Sequence, residues 1–434
     1  MRRSGVIGAG ALALLAACSQ PEVRLPGTRI GVAIPGAAEA AGGTAAALSL
    51  TAPVANADWP QRGGGADRDI AHPALGAQLT PLFNTRFGAA ETRRLRITAE
   101  PVVAGGRVFV MDAEAGVAAL GTNGTLLWQR ALVPAADAPG QASGGGLATD
   151  GARLYAVTGF GELVALDAET GARLWTQDLG APGAGAPAVA NGTVYAVSRD
   201  GRGLALDART GRVKWQISGV EDLQRDEGGA GRAVDGDLAV FPFTSGEVVG
   251  TFPESGRQRW SAVVAGRRPG AAAALAANGI SGDPVLEDGR VYVGNASGRM
   301  SAIDDFTGET LWSAPDGAIS PVVPAGGSLF LLNDVNQLVR LDAATGAALW
   351  RVDLPEGAPQ GFLRRDTRVA HYGPLLAGGR LLVAGSDGLI REFDPLAGQL
   401  MRETPIEGGA ASAPVVAGGI LYVVTSDGSL AAFR

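Results

Sequence analysis

A unit of roughly 40 residues recurs from residue 99 to the end of the chain, and this repetition constrains the fold more than any other feature. The clearest copy spans residues 151–179 and reads GARLYAVTGFGELVALDAETGARLWTQDL. Its segments RLYAV, ELVALD and ARLW alternate apolar residues, which is the period-2 pattern of half-buried strands. Turn residues separate the segments, and a short apolar run precedes Thr149. The unit therefore predicts a four-stranded antiparallel meander.

Further copies can be laid end to end along the chain. The copies cover residues 101–132, 144–179, 185–217, 229–264, 281–315, 319–354, 373–406 and a last one from 413. Glycine supplies 66 of the 434 residues, which suits a fold that turns every few residues. A period of this length with four strands per unit predicts a β-propeller.

The last copy stops before its fourth strand. A ring with an unpaired edge would invite aggregation, so another segment should supply the missing strand. The run at residues 79–87 is the suitable one before the first copy, and it would place Phe83 where other copies carry tryptophan. We therefore predict an all-β, eight-bladed propeller of four-stranded antiparallel blades, closed by N- and C-terminal strands in one blade. Seven blades is the alternative if the divergent fourth copy is an insertion.

The N-terminus is typical of a processing signal. Arg2 and Arg3 precede an apolar run at 5–15 that is too short to span a bilayer. It ends in Leu-Ala-Ala-Cys at Cys18, the chain's one cysteine, and this spacing resembles the bacterial lipobox. We predict a lipoprotein signal peptide at 1–17, a lipidated Cys18 with a flexible Ala/Gly/Pro-rich tether at 18–57, and the propeller at 58–434. A secretion signal with a chance cysteine is the alternative.

Two residue types recur at fixed places in the copies. Six tryptophans follow a turn glycine by four residues, and Arg402 has that spacing in the seventh copy. We predict that the indoles pack as wedges between blades, the alternative being a stack that binds ligand; they are Trp128, Trp175, Trp215, Trp260, Trp312 and Trp350. Four aspartates end the third strand and should shape the following turn rather than catalyse; they are Asp167, Asp207, Asp304 and Asp342.

Composition argues against several functions. The net charge of −7 disfavours a nucleic-acid partner, which requires a basic face. His72 and His371 are the two histidines, far apart and without metal-ligand spacing. The pattern predicts no active site, no metal site and no cofactor.

Three long connections interrupt the repeats, at 219–227, 267–282 and 355–371. Each enters the first strand of a blade, so all three should emerge on one face of the ring. Long loops on a rigid scaffold commonly carry binding function. Leu223 and Arg225 are an apolar anchor and a forked donor, both frequent at interfaces. Variable solvated loops are the alternative interpretation.

The Leu-Trp ends and Leu-Asp-x-x-Thr-Gly turns resemble the quinoprotein (PQQ-type) propeller repeat over roughly residues 99–434. Two families share that repeat. The PQQ-dependent dehydrogenases hold the quinone with calcium and usually a pair of adjacent cysteines, whereas this chain has one cysteine. The lipobox, the single propeller of eight units and the lack of catalytic groups are similar to the BamB family, lipoproteins of the outer-membrane β-barrel assembly machinery.

The BamB resemblance implies a non-enzymatic scaffold on the periplasmic face of the outer membrane. It implies binding to the POTRA domains of BamA, within the Bam complex, and assistance to unfolded outer-membrane proteins. The family's contact loops correspond to 222–225, with Leu223, Gln224 and Arg225, and to 279–284, with Ser281 and Asp283. A periplasmic quinoprotein enzyme or a ligand-binding propeller is the alternative function.

Overall fold

Short β-strands, three to eight residues long, make up the regular structure of the chain. The computed structural model describes residues 47–67, 72–219, 231–266, 279–357 and 368–434, all within the unit Gly36–Arg434. The strands of the first half are β1 Pro81–Arg86, β2 Val102–Ala104, β3 Arg107–Met111, β4 Gly116–Gly121, β5 Leu126–Ala131, β6 Gly145–Thr149, β7 Arg153–Thr158, β8 Glu162–Asp167, β9 Arg173–Asp178, β10 Gly183–Ala190, β11 Thr193–Ser198, β12 Arg202–Asp207, β13 Val213–Ser218, β14 Ala233–Asp235, β15 Leu238–Pro242, β16 Glu247–Thr251 and β17 Gln258–Val263. Those of the second half are β18 Val285–Glu287, β19 Arg290–Gly294, β20 Met300–Asp304, β21 Thr310–Ala314, β22 Val323–Ala325, β23 Ser328–Leu332, β24 Gln337–Asp342, β25 Ala348–Asp353, β26 His371–Ala377, β27 Arg380–Gly385, β28 Leu389–Phe393, β29 Leu400–Pro405, β30 Val415–Ala417, β31 Ile420–Val424 and β32 Ser429–Phe433.

These strands form eight four-stranded antiparallel sheets, the blades of a propeller. Blades 1 to 7 each use four consecutive strands, beginning with β2–β5 and ending with β26–β29. Blade 8 has the order β1-β32-β31-β30, so a strand from the N-terminal side completes it. The predicted eight blades and their closure are confirmed. The seven-blade alternative is wrong, because the divergent fourth copy forms a complete blade from β14 to β17.

Burial changes from the inner to the outer strands of each blade. In blade 2, β7 and β8 are almost wholly buried, whereas the outer strand β9 alternates between exposed and half-buried residues. Inner strands are covered on both faces by neighbouring blades, so they are continuously apolar and rich in small residues. At Gly203, for example, a Cβ atom would lie 2.7 Å from the ring of Phe241 in the next blade. Close approach between blades accounts for much of the glycine and alanine content.

A segment that belongs to no blade lines the inside of the ring. Residues 47–67, here called the N-terminal strap, run past the first strands of the blades in order. Ser49 lies at the β22–β23 turn of blade 6, and Asn56 bonds Val416 and Gly418 of blade 8. Trp59 then pairs with Val103 of blade 1. Residues 47–57 of this strap fall in the segment that the sequence assigns to the tether.

The strap accepts hydrogen bonds from backbone N–H groups of the inner strands that would otherwise lack a partner. Five equivalent N–H groups point into the ring, those of Val103, Thr149, Val189, Val234 and Leu286, and each donates to the strap over 2.7–3.0 Å. The acceptors are the carbonyls of Trp59, Pro60, Ala66 and Asp67 and the side-chain amide oxygen of Gln61. Blade 6 carries Pro324, which has no N–H, at the same register position. The strap therefore completes the inner edge of five blades by internal strand addition.

Candidate functional site

The antiparallel blades give the ring two distinct faces. Turns that join the first to the second strand, and the third to the fourth, lie at one end, here called the hairpin face. Turns between the second and third strands, and the connections between blades, lie at the other end, here called the connection face. The three long connections all belong to the connection face, because each leads from a fourth strand into a first strand.

Most of the residues in those connections lie outside the described part of the chain. Leu223, Gln224 and Arg225 fall in 220–230, and Cys18 also lies outside the described residues. The described ends of the connections are held firmly. Before the first of them, the Gly219 N–H donates to the Gly201 carbonyl over 2.8 Å. The ring therefore fixes where this connection leaves the connection face.

Ser281 and Asp283 are described, and both are engaged within the chain. The Ser281 hydroxyl donates to the Ala318 carbonyl over 2.6 Å. Asp283 is 1% exposed, accepts the Gly231 N–H over 2.7 Å, and lies 3.3 Å from the Arg62 guanidinium. The structure thus gives the side chains of Ser281 and Asp283 internal roles, and the Ser281 and Gly282 N–H groups both donate to the Gly294 carbonyl over 3.3 Å.

Arg62 joins opposite sides of the ring from within. Its guanidinium lies 2.9 Å from Glu100, before the first strand of blade 1, as well as beside Asp283, before the first strand of blade 5. Burial opposes the charge of Arg62, but Asp283 and Glu100 outweigh it and raise the pKa of Arg62. Arg62 of the strap therefore neutralises both carboxylates. No sequence pattern indicates this cluster, because Arg62 belongs to no repeat.

The repeated tryptophans lie between neighbouring blades. Turn glycines of the next blade pack on their indole rings, as Gly171 does on Trp128 and Gly346 on Trp312. Five of the six donate their indole N–H to a carbonyl of the next blade over 2.7–3.2 Å, and they are Trp128, Trp175, Trp215, Trp260 and Trp312. Phe83 packs on Gly124 in the corresponding way. This position packs the ring and is not open to a stacked ligand.

Trp350 differs from Trp312 in one bond, which gives a matched test of the wedge. Trp312 donates to the Ala343 carbonyl over 3.0 Å, whereas the buried nitrogen of Trp350 has no acceptor among the described residues. Trp312→Phe should therefore destabilise the protein by about 1 kcal/mol more than Trp350→Phe, since it leaves a carbonyl unsatisfied. Urea denaturation of both variants measures the difference. Equal losses would show that the hydrogen bond does not matter.

The repeated aspartates cap their turns. Asp167 accepts the N–H of Glu169 and both the N–H and the hydroxyl of Thr170, and the same bonds recur at Asp207, Asp304 and Asp342. The bonds from Thr170 lower the pKa of Asp167, and those from Thr210 and Thr307 lower the pKa of Asp207 and Asp304. These carboxylates are turn-forming groups, and each is satisfied within its own hairpin.

The lowered values predict acid sensitivity with a definite sign. In the folded chain the three pKa values lie below the ordinary value of 3.8, so at acidic pH the unfolded chain binds more protons. The stabilisation is complete above that value and is lost as the pH falls through the lowered values. We expect thermal stability to drop below about pH 4. An Asp167→Asn, Asp207→Asn, Asp304→Asn variant should show a smaller drop; an identical pH profile would contradict this origin.

Neither histidine is arranged for catalysis. His72 donates from Nδ1 to the Thr51 carbonyl over 2.7 Å and accepts the Gly379 N–H at Nε2 over 2.8 Å, so it fastens the chain to blade 7. His371 contacts the Pro355 carbonyl through Nε2, and burial lowers its pKa. No group of three potential metal ligands occurs in the described ranges.

One cleft of about 620 Å³ opens on the hairpin face between blades 3 and 4. Its walls include Tyr195 and Phe252 together with Lys214, Asp237 and Arg257. Charges of both signs line it, and Lys214 is already bonded to the Thr193 hydroxyl over 2.7 Å. It contains no constellation suited to acid–base or nucleophilic chemistry.

Comparison with known proteins gives a consistent family signal. A family model described as outer membrane protein assembly factor BamB matches residues 113–352 and 334–434. The BamB of Yersinia pestis is 24% identical over 290 residues, 67% of this chain and 71% of its own. The BamB of Burkholderia pseudomallei is 27% identical over 342 residues, 78% of this chain and 84% of its own.

Solved structures share the fold. BamB from Moraxella catarrhalis has a TM-score of 0.65 at 19% identity and covers 82% of this chain and all of its own, 100%. A europium-containing methanol dehydrogenase has a TM-score of 0.68 at 15% identity, with 87% of this chain and 98% of its own covered. At such identities the likeness shows the propeller alone, so shape does not separate the two functions. In the described ranges, no helix has the length and apolarity needed to traverse a bilayer.

Proposed function

This chain belongs to the BamB family of outer membrane protein assembly factors, and we propose that it acts as a non-enzymatic scaffold that binds the POTRA domains of BamA. The proposed contact is made by the connection face, through Leu223, Gln224 and Arg225. Unfolded outer-membrane proteins are a further class of partner for the assembled complex. The observation that carries the proposal is the family match over both ranges of the repeat region.

The geometry of the ring supports a docking role. Tryptophans pack six of the eight blades against the next blade, and the strap ties the inner strands together. Such a rigid body can hold several connections in a fixed arrangement, which lowers the entropy lost when a partner binds. Arg62 of the strap also neutralises Glu100 and Asp283 inside the ring. The proposed contact lies on the connection face.

A lipid anchor makes modest affinity sufficient. In the proposal the signal at 1–17 is removed, Cys18 is acylated, and the protein sits at the periplasmic face of the outer membrane. Acyl chains contribute about 0.8 kcal/mol per buried methylene, and multiple chains hold a protein stably on a bilayer. Asn56 is bonded to blade 8, so in the proposal the tether is shorter than the sequence assigns. Confinement beside BamA raises the effective concentration of the docking face.

The dehydrogenase likeness makes a quinoprotein the second candidate. Glu100 and Asp283 are buried carboxylates, and both are paired with Arg62. Purified protein incubated with PQQ and calcium should remain colourless and show no dye-linked alcohol oxidation. A bound chromophore with that activity would replace the scaffold proposal by the enzyme.

Complementation tests the scaffold in cells. In a strain that lacks this gene, the wild-type chain should restore the level of outer-membrane barrel proteins, and Arg225→Glu should restore much less. Arg209→Glu, an exposed arginine of the hairpin face, is the matched control and should behave as wild type. Full restoration by Arg225→Glu would remove this loop from the proposed contact, and no restoration by wild type would remove the function.

A further inference from the structure

A rigid loop before blade 1 presents three exposed arginines. Arg93, Arg94 and Arg96 lie in residues 91–97, here called the arginine loop. Leu95 and Ile97 are 9% and 2% exposed and belong to the large core cluster, so alternate residues anchor the loop. The exposed arginines are therefore displayed from a fixed backbone.

Local hydrogen bonds hold the loop in shape. The Thr92 hydroxyl accepts the Leu95 N–H over 3.1 Å, and the Glu91 carboxylate accepts the Ile97 N–H over 3.0 Å. The Glu91 N–H in turn donates to the Ser426 carbonyl in blade 8 over 2.7 Å. A loop fixed in this way loses little conformational entropy when a partner binds.

The charge of this loop is only partly compensated. Arg96 pairs with Glu91 over 3.0 Å, but the side chains of Arg93 and Arg94 make no ion pair with any described residue. Two adjacent free guanidinium groups stand out on a chain whose net charge is −7. Guanidinium groups bind carboxylates through two parallel hydrogen bonds, so an acidic surface is the complementary partner.

The loop lies on the connection face. It crosses the turn of blade 8 at Ser426, and the neighbouring Ala89 carbonyl accepts the Ala113 N–H in the corresponding turn of blade 1. The strap, in contrast, meets the hairpin turns, where Asp58 accepts the Gly105 N–H over 3.1 Å. The chain that leads back to the anchor therefore begins on the opposite side from the arginines. This placement favours a protein partner over the lipid surface.

We propose that the arginine loop is an electrostatic docking site for an acidic patch on the protein partner. The inference rests on the proposed function, since that partner is the periplasmic part of BamA. Arg93 and Arg94 supply the long-range attraction, and Arg96 is oriented by Glu91. The loop steers the partner onto the face from which the connections emerge, so it acts mainly on the association rate.

Binding kinetics of the purified full chain to the periplasmic part of BamA test this site. The Arg93→Glu/Arg94→Glu variant should associate about 10- to 100-fold more slowly at low salt, and the difference should shrink as salt rises. The control is Arg209→Glu/Arg212→Glu, which changes the net charge equally on the hairpin face. It should stay within about twofold of wild type, because surface charges away from a contact contribute little. If the charge reversal impairs folding, Arg93→Gln/Arg94→Gln replaces it.

The outcomes separate the two proposals. If the wild-type chain binds BamA and the arginine-loop variant associates equally fast, the docking site is overturned and the proposed function stands. Absence of wild-type binding overturns both. Loss of binding to phosphatidylglycerol vesicles in that variant, with BamA binding unchanged, overturns the inference in favour of a lipid surface.

Discussion

Glu392→Ala is expected to lower the free energy of unfolding by about 3–5 kcal/mol, since it leaves a buried arginine without its carboxylate. The side chains of Arg380 and Glu392 are 6% and 1% exposed, and they form a direct ion pair in blade 7. Arg402 also approaches Glu392, at 3.6 Å. The loss follows from the urea midpoint and slope of the variant against wild type.

We expect a large loss of stability because this ion pair lies in blade 7, next to the blade that closes the ring. In blade 8 no hairpin turn joins β32 to the outer strand β1, and Thr80, before β1, exchanges backbone bonds of 2.7 and 2.9 Å with Arg434, after β32. Arg402 takes the place of tryptophan here and donates to the Ala77 carbonyl over 2.7 Å. Arg380 reaches Gly76 from the same side over 2.6 Å. Arginines thus fasten blade 7 to the closing strand where no hairpin exists.

The matched control is Glu403→Ala in the neighbouring strand. Glu403 pairs with Arg391 over 3.1 Å, but its side chain is 43% exposed, so its loss should cost within about 1 kcal/mol. If Glu392→Ala and Glu403→Ala lowered the free energy of unfolding by the same small amount, the attachment of blade 7 to the closing segment would not depend on the buried ion pair.

Trp59→Ala should detach part of the strap and destabilise the ring by about 3–5 kcal/mol, the cost of emptying a large buried site. Trp59 is 4% exposed, exchanges two backbone bonds with Val103, and joins the largest hydrophobic cluster. The strap's hydrogen bonds to Thr149 and Val189 follow directly from its position. Cooperative loss of these contacts should accompany the substitution.

Hydrogen exchange distinguishes detachment from general unfolding. In Trp59→Ala, the amides of Val103, Thr149 and Val189 should lose protection while those of outer pairs such as β8–β9 keep it. Val54→Ala, in the same strap but 58% exposed, should change neither stability nor exchange. Unchanged protection in Trp59→Ala would mean that the inner strands do not need the strap.

The repeat predicts the ring of blades, but it does not predict the N-terminal strap. Each blade repeats the same local pattern of strands and turns, so a single copy defines most of the fold. The closing strand is also predictable from the sequence, because an unpaired sheet edge would promote aggregation and Phe83 occupies the tryptophan position. Residues 47–67 carry no period-2 signal, since they bind through scattered backbone groups and single side chains.

The candidate site is harder to predict from the sequence, because its contacts join residues that lie far apart in the chain. Its place in a family loop predicts a partner contact for Asp283, but the structure pairs it with Arg62, more than two hundred residues away in the chain. Nothing in the neighbourhood of either residue in sequence indicates the other. The sequence alone does not show that Arg93 and Arg94 belong to a fixed loop. The burial of Leu95 and Ile97 in the structure shows it.

Affinity purification of the tagged chain from membranes tests the scaffold function most directly. Tagged wild-type protein should recover BamA together with other members of the complex, and Arg225→Glu should recover clearly less while Arg209→Glu matches wild type. Wild-type protein that never recovers BamA, although it is folded and present in the outer membrane, would contradict the account.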